Sequence, residues 1–283
     1  MKLKDLLFEQ SNPKELAEKF IKKVESGEWT IPQKKGIDLW RGTNREVMVG
    51  VKEEYTKNRK PMNTSADTQQ MLDIVARRQM AEWPLRTFSR FASTRLSFVQ
   101  SYGTPHYVFP RKNSKIASFE RDAFITYFGR YNENPEHFVK KFRKFFDKTE
   151  KDWNYIQEKL GEEIADFLSA YFLAVDGGDF NHFKKLASKY EISKHVEVFE
   201  RAHNLLAEGD VKMSVFGSSH LYDAVITGKK LVENISTYFE EGKRGIVKES
   251  EELIIQGDLL HLKKSFADEY LKFENNSWQI DIF

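Results

Sequence analysis

The spacing of apolar residues changes twice along this chain, and this change constrains the fold more than any other feature. Between about residues 122 and 207, apolar side chains recur at the three- and four-residue spacing of helices. Two such sets are Phe138, Phe142, Phe145 and Phe146, and Ile164, Phe167, Leu168, Tyr171 and Phe172. Shorter segments on both sides have the patterns of strands. The sequence therefore predicts an α+β protein with a helical block inside it.

The flanking segments carry their own start and stop signals. Asn12-Pro13 predicts a helix start and Gly27 its end, so residues 1–27 are expected to form two docked helical pieces. Further helices are predicted from about Ser65 to Pro84 and over residues 96–102. Strands are predicted over residues 36–42, 87–94, 106–109, 253–255 and 259–262, the last two joined by a turn at Gly257-Asp258.

Composition excludes several kinds of chemistry. The chain has no Cys, which removes disulfides, thiolate metal sites and cysteine nucleophiles together. Lys plus Arg is 45 and Asp plus Glu is 43, so no overall basic footprint for nucleic acid is visible. No apolar run has the length of a signal peptide or a membrane span. We expect a cytoplasmic protein without membrane contact and without a metal.

Familiar catalytic motifs are also missing. The chain has no glycine-rich phosphate loop of the Walker or dinucleotide type and no paired-histidine zinc motif. The segment Gly217-Ser218-Ser219-His220 does not form a nucleophile elbow. Kinase, Rossmann, metallohydrolase and serine-hydrolase chemistry therefore lack support in this sequence.

Three separated segments of the sequence are the candidates for a functional site. The first is Trp40-Arg41-Gly42 at the end of an early strand, and the second is Ser93-Thr94 at another strand end. The third is the acidic run 249–252, which leads directly into the apolar strand 253–255. Taken singly, such pieces are commonplace as a salt-bridging arginine, a polar turn and a solvated charge run.

In this order the three pieces resemble the Arg–Ser–Glu pattern of toxin-type mono-ADP-ribosyltransferases, including bacteriophage-encoded members. The likeness covers roughly residues 36–120 and 215–275, and Arg59-Lys60-Pro61 also looks like the phage proteins. The resemblance implies an ADP-ribosyltransferase-like split β-sandwich made of residues 36–120 and 208–283. Residues 1–35 would then be N-terminal helices and residues 121–207 a helical insertion, all within one compact unit.

The resemblance also implies roles for individual residues. Glu252 is the predicted catalytic carboxylate, because the essential glutamate of the family directly precedes the apolar strand. Arg41 would bind the phosphates of NAD, Gly42 would admit the backbone to the nicotinamide amide, and Ser93 and Thr94 would brace the glutamate strand or contact the ribose. Phe98 and Tyr102 are the candidates for stacking on nicotinamide. NAD is expected as a substrate.

This chain departs from the family pattern at two positions. The third hydroxyl position holds Arg95, and the position two residues before Glu252 holds Ser250. A strand register shifted by one residue would make Glu251 catalytic and Glu249 its companion. The upstream carboxylate of the family usually accompanies arginine acceptors, so the acceptor stays open here.

The expected activity is transfer of ADP-ribose from NAD to a macromolecular acceptor, which is a host protein or RNA or DNA. The protein would then be a toxin, a defence protein or a phage effector. It would be cytoplasmic or be delivered with the phage particle. One alternative is a nucleic-acid-binding protein that uses the basic and aromatic stretch 140–146. Another is a virion structural protein that keeps an inactive transferase fold. The oligomeric state is left open.

Overall fold

A computed structural model describes residues 12–43, 51–54, 66–129, 135–149, 151–208 and 216–281 of the 283-residue chain. The predicted first helical piece and Arg59-Lys60-Pro61 lie outside these residues. The chain divides into two compact units. The sheet unit comprises Met1–Arg59, Phe88–Asp122 and Lys243–Phe283, and the helical unit comprises Lys60–Thr87 and Ala123–Gly242. The helical unit thus takes in more of the chain than the insertion expected over residues 121–207.

The sheet unit is built on two four-stranded sheets in which all pairs are antiparallel. Sheet I has the order β1-β4-β8-β2, and sheet II has the order β3-β7-β5-β6. The strands are β1 Trp40–Thr43, β2 Val51–Glu54, β3 Arg90–Ala92, β4 Thr104–Pro110, β5 Lys115–Phe119, β6 Lys243–Arg244, β7 Glu252–Gln256 and β8 Leu259–Lys263. A small hairpin follows, made of β9 Leu271–Glu274 and β10 Ser277–Ile280. The fold is therefore mixed α/β with antiparallel sheets, as the α+β prediction requires.

Three helices accompany the sheets. Helix α1 spans Pro13–Glu25 and begins as predicted, with the Asn12 side chain accepting a hydrogen bond from the Lys14 backbone. Helix α3 spans Leu96–Gln100 and α11 spans Lys264–Tyr270. The strand predicted over residues 36–42 begins only at Trp40, because Pro32–Lys35 forms a 3-10 helix and the next residues lead the chain into the sheet.

The two faces of sheet I bury different sets of residues. Phe109, Leu260 and Leu262 point outward and pack with Phe20 of α1 and with Trp278. Val108 and Leu259 point inward and pack with Leu39, which precedes β1, and with Ala92, Leu253 and Ile255 of sheet II. Because neighbouring strand residues face opposite sides, Phe109 and Val108 separate these two cores.

The turn between β7 and β8 carries the chain from sheet II to sheet I. The predicted strand, turn and strand are confirmed, but the two strands do not pair with each other. Gly257 makes the turn at φ +156, and a Cβ atom there would lie 2.1 Å from Ser114 Oγ. Only glycine fits this close approach without moving its neighbour.

The helical unit contains the predicted helical block and two helices from outside it. Its helices are α2 Ala66–Gln79, α4 Ala123–Phe128, α5 Pro135–Thr149, α6 Trp153–Leu160, α7 Glu162–Asp176, α8 Asn181–Lys189, α9 Ile192–Glu208 and α10 Phe216–Glu241. Phe138, Phe142 and Phe145 of α5 are buried in its core, as expected for an apolar stripe at helical spacing. Among the described residues, no helix is both long enough and apolar enough to cross a bilayer.

Candidate functional site

Arg41 on β1 links the edges of the two sheets. Its Nη1 donates a 2.7 Å hydrogen bond to the carbonyl of Phe91 on β3. One residue earlier, the backbones of Trp40 and Ser93 exchange hydrogen bonds of 2.7 and 2.8 Å. Burial lowers the pKa of the Arg41 guanidinium, and the charge of Glu54 acts in the opposite direction. The guanidinium stays charged at neutral pH because its ordinary pKa is so high.

Gly42 lies where β1 passes the end of α3. A Cβ atom on Gly42 would lie 2.4 Å from the carbonyl oxygen of Val99 and 2.9 Å from Tyr102 Cβ. A real side chain needs a wider spacing than this, so the close approach of the strand and the helix requires glycine. The sequence prediction had assigned Gly42 to contact with NAD, whereas its packing against Tyr102 already accounts for the glycine.

Phe98 and Tyr102, the two predicted stacking residues, lie together beside Gly42. Their ring centroids are 5.4 Å apart, and Tyr102 is 47% exposed. Partial burial raises the pKa of Tyr102, and the charges of Asp122 and Glu252 add to this effect. The exposed Tyr102 ring thus lies within electrostatic range of the Glu252 carboxylate.

Ser93 and Thr94 hold the chain that precedes Glu252. The Ser93 hydroxyl, the Thr94 hydroxyl and the Thr94 backbone N–H each donate a 3.0 Å hydrogen bond to the carbonyl of Ser250. Ser93 Oγ also accepts a hydrogen bond from the backbone N–H of Arg95. Both hydroxyls thus hold the backbone of the acidic run.

Glu251 and Glu252 have different surroundings. Glu251 accepts a 2.6 Å ion-pair hydrogen bond from Arg95, and 43% of the Arg95 side chain is exposed. Glu252 is the first residue of β7, is paired across the sheet with Phe119, and is 5% exposed. Leu253 and Ile255 fill the core between the sheets, so Glu252 lies on the other face of sheet II. The structure therefore separates a surface ion pair from a buried carboxylate.

Ser250, two residues before Glu252, has a structural role. Ser250 is 2% exposed, its hydroxyl donates to the carbonyl of Val247, and its own carbonyl receives Ser93 and Thr94. Glu249 adopts a φ of +66. The loop before β7 is therefore fixed by backbone contacts, and Glu249 and Glu251 do not occupy the same environment as Glu252.

Sequence reasoning missed a polar cluster on the inward face of sheet I. Register places Arg41 opposite His106, and Glu54 opposite Leu259. Opposed residues share a face, so these side chains point toward sheet II together with His261. Glu54 accepts a 2.6 Å hydrogen bond from Arg90 Nε, lies 3.1 Å from His261 Nε2 and lies 3.8 Å from Arg41 Nε.

Charge balance explains why Glu54 tolerates this position. Burial alone would raise the pKa of Glu54. The hydrogen bond from His261, the charge of Arg41 and the hydrogen bond from Arg90 outweigh burial and hold the pKa well below its ordinary value. Two guanidinium groups thus lie beside the Glu54 carboxylate.

A faint sequence signal for this cluster existed. His106 and His261 lie two residues from Val108 and Leu259, at the inward positions of otherwise apolar strands. A polar residue at a buried position of a strand needs a partner, so each histidine marked a buried polar site. The distant partners Glu54 and Arg90 come from other strands and carry no local pattern.

The basic and aromatic stretch 140–146 lies on α5 of the helical unit. Phe142 and Phe145 are buried in the core. Lys141 pairs with Asp223 and Arg143 with Asp176. Because the two buried rings have no accessible face, bases cannot stack on them in this structure.

Within the described ranges, no three His, Asp or Glu side chains form a group that could hold a metal ion. No protein-family model, curated protein or solved structure matches the chain.

Proposed function

We propose that the protein transfers ADP-ribose from NAD to a macromolecular acceptor and releases nicotinamide. One observation carries the proposal. Arg41, Ser93-Thr94 and Glu252 are far apart in sequence, yet hydrogen bonds join the chain beside Arg41 to Ser93, and Ser93 and Thr94 to the chain just before Glu252. Trp40 pairs with Ser93, and Ser93 and Thr94 hold Ser250 two residues before Glu252. The sheet unit would accordingly be an ADP-ribosyltransferase-like split β-sandwich.

The inward cluster of sheet I fits the pyrophosphate of NAD. Arg41 and Arg90 both lie beside Glu54, and guanidinium groups suit the binding of phosphate oxygens. Arg41 Nε is buried and has no hydrogen-bond partner among the described residues, where the nearest carboxylate oxygen is the one of Glu54, 3.8 Å away. A phosphate oxygen would supply the missing acceptor, as buried donors are usually paired.

Glu252 fits the chemistry at the ribose, with NAD passing the edge strand β3 from the Arg41 cluster between the sheets to the outer face of sheet II. In the reaction the bond between the nicotinamide nitrogen and ribose C1′ breaks, and its electron pair leaves with nicotinamide. Positive charge then develops on the ribose, which a nearby carboxylate stabilises. Glu252 would provide that carboxylate, and Tyr102 or Phe98 would stack on the nicotinamide ring. The acceptor atom bonds to C1′ and gives up its proton.

The burial of Glu252 favours it over Glu251 for this role. A carboxylate in a poorly solvated position interacts more strongly with a developing cation than one in bulk water. Glu251 is already neutralised by Arg95 at the surface. We assign Glu251 to fixing the loop before β7, and Arg41 and Ser93 to binding and bracing.

The acceptor can be identified together with the activity. Purified protein is incubated with NAD labelled in the adenylate portion and with a bacterial lysate, and parallel samples are treated with protease or nuclease. Label lost with protease indicates a protein acceptor, and label lost with nuclease indicates RNA or DNA. The Glu252→Gln protein, shown to be folded by circular dichroism, is expected to transfer no label.

The opposite result would be equally clear. A folded wild-type protein that neither transfers label nor releases nicotinamide in any lysate fraction would contradict the proposal. The two alternatives, a nucleic-acid-binding protein and a virion structural protein with an inactive transferase fold, would then be tested by salt-dependent binding to RNA and DNA.

A further inference from the structure

A second pocket opens on the outward face of sheet I. It has a volume of about 390 Å³ and lies between the 3-10 helix Pro32–Lys35, Tyr107 of β4, helix α11 and the β9–β10 hairpin. Tyr107 and His106 are neighbours on one strand, so they face opposite sides of the sheet. The pocket is therefore separate from the Arg41 cluster, and the inference does not depend on the proposed transferase activity.

Two buried side chains that line this pocket each carry a polar atom without a hydrogen-bond partner among the described residues. Gln33 is 8% exposed and its Oε1 has no partner, and Trp278 is 6% exposed and its Nε1 has none. Buried polar atoms are nearly always satisfied by protein, water or ligand. The pocket thus offers one hydrogen-bond acceptor and one donor that the folded chain does not itself use.

The pocket also combines carboxylates with aromatic rings. Asp38, Tyr107 and Asp268 line the pocket together, and burial and the charges of the two carboxylates raise the pKa of Tyr107. The Trp278 ring lies 5.4 Å from Tyr107 and 5.5 Å from Phe273, measured between centroids. Carboxylates beside aromatic faces are the chemistry that binds organic cations.

Among the charged residues that line the pocket, carboxylates outnumber cations. Lys272 is the cationic residue among those that line it, and it already lies 3.6 Å from Glu274 and 3.8 Å from Asp281. Asp268 pairs with Lys264 at its exposed end. The amide of Gln33 lies beside Asp38 and lowers the pKa of that carboxyl, which partial burial raises. Asp38 is exposed and lies within range of the Lys264 charge, but among the described residues it forms no ion pair within 4.0 Å.

We propose that this pocket binds a small organic cation, a guanidinium group on a short apolar chain. The guanidinium would pair with Asp38 and donate to Gln33 Oε1, and the chain would lie against Tyr107 and Trp278. A pocket of this volume accommodates a ligand of that size. The guanidinium can belong to a free metabolite or to an arginine side chain of another polypeptide, and the experiment distinguishes the two.

The test uses the five tryptophans of the full chain as probes. The protein is labelled with ¹⁵N at the indole nitrogens, and the Trp278 signal is assigned from the Trp278→Phe protein. Butylguanidine is titrated against its neutral analogue butylurea, each to about 10 mM, where even a weak complex with millimolar affinity is saturated. Butylguanidine is expected to shift the Trp278 indole signal saturably, and butylurea is not.

Substitutions identify the carboxylate that contacts the guanidinium group. Asp38→Asn and Asp268→Asn are compared with Glu15→Gln, which removes an exposed carboxylate of α1 outside the pocket. We expect Asp38→Asn to weaken butylguanidine binding at least about tenfold, as loss of a charge-assisted contact does. Glu15→Gln is expected to bind like wild type. Asp268→Asn provides a second measurement if Asp38→Asn does not fold.

A peptide with one central arginine separates the two sources of the guanidinium. Tighter binding of the peptide than of butylguanidine indicates an arginine of another chain, and equal or weaker binding indicates a free cation. The proposal is overturned if butylurea shifts Trp278 as strongly as butylguanidine does. It is also overturned if no saturable shift occurs, or if the folded Asp38 and Asp268 variants both bind unchanged.

Discussion

The hydroxyl of Ser93 donates a 3.0 Å hydrogen bond to the carbonyl of Ser250, 157 positions later in the chain. Ser93 is fully buried, and its backbone also pairs with Trp40. One residue therefore joins the strand of Arg41 to the loop that presents Glu252. The relative position of the two charged groups depends on this contact.

Removing the Ser93 hydroxyl should destabilise the sheet unit. In Ser93→Ala the backbone N–H of Arg95 loses its acceptor, and a buried contact to Ser250 is lost. We expect a loss of about 1–2 kcal/mol in the free energy of unfolding, measured in urea. Ser101→Ala removes an exposed hydroxyl that donates to the Phe98 carbonyl and should cost less than about 0.5 kcal/mol. Equal effects of the two substitutions would argue against the bracing role of Ser93.

Adding one methyl group at Gly42 should disturb the aromatic side of the site. The new Cβ would lie 2.4 Å from the Val99 carbonyl, so β1 and α3 must separate. We expect Gly42→Ala to cost roughly 1–3 kcal/mol of unfolding free energy and to weaken NAD binding. Gly177→Ala is the matched control, because its Cβ would meet nothing closer than 3.7 Å. A crystal structure of Gly42→Ala with Tyr102 unmoved would contradict this account.

Glu54 should make the stability of the sheet unit depend on pH. Its folded-state pKa lies below the ordinary value of 4.5, so the unfolded chain takes up its proton first as pH falls. The stabilisation is fully present above about pH 5 and is lost as pH falls through 4.5 toward the lowered value. Glu54→Gln should therefore be less stable than wild type by roughly 2 kcal/mol at pH 7, with a gap that narrows below pH 4.5.

The control for Glu54 is a carboxylate with a surface partner. Glu28 pairs with Arg111, and its side chain is 56% exposed. The free energy of unfolding of Glu28→Gln, measured in urea, should differ from that of wild type by less than about 0.5 kcal/mol at both pH 7 and pH 3. The interpretation of Glu54 fails if its gap stays constant from pH 7 to pH 3, because a constant gap indicates lost packing and not lost charge.

The elements of this fold could be predicted because each carries a local signal. The Asn12-Pro13 start of α1, the phenylalanine stripe of α5 and the apolar run of β7 all depend on residues close in sequence. Strand partners depend on distant residues. β7 and β8 are separated by two residues, yet each pairs in a different sheet, and no local pattern records that choice.

The residues of the candidate site also differ in whether a local sequence signal marks them. Ser93, Thr94 and Glu252 could be identified because strand ends and an acidic run are visible in the sequence. Glu54, Arg90 and His261 could not be grouped, because they meet only when three strands from two sheets come together. Gly42 was assigned to ligand contact, and its packing against Tyr102 could not be seen until α3 was in place.

Release of nicotinamide by two neighbouring variants tests the central claim most directly. Wild type, Glu251→Gln and Glu252→Gln are compared at saturating NAD with the same acceptor fraction, after equal folding has been verified. Loss of the buried carboxylate should reduce turnover at least about 100-fold. Loss of the Glu251–Arg95 surface pair should change turnover by less than about threefold. Wild-type turnover by a folded Glu252→Gln protein would contradict the assignment of Glu252 as the catalytic carboxylate.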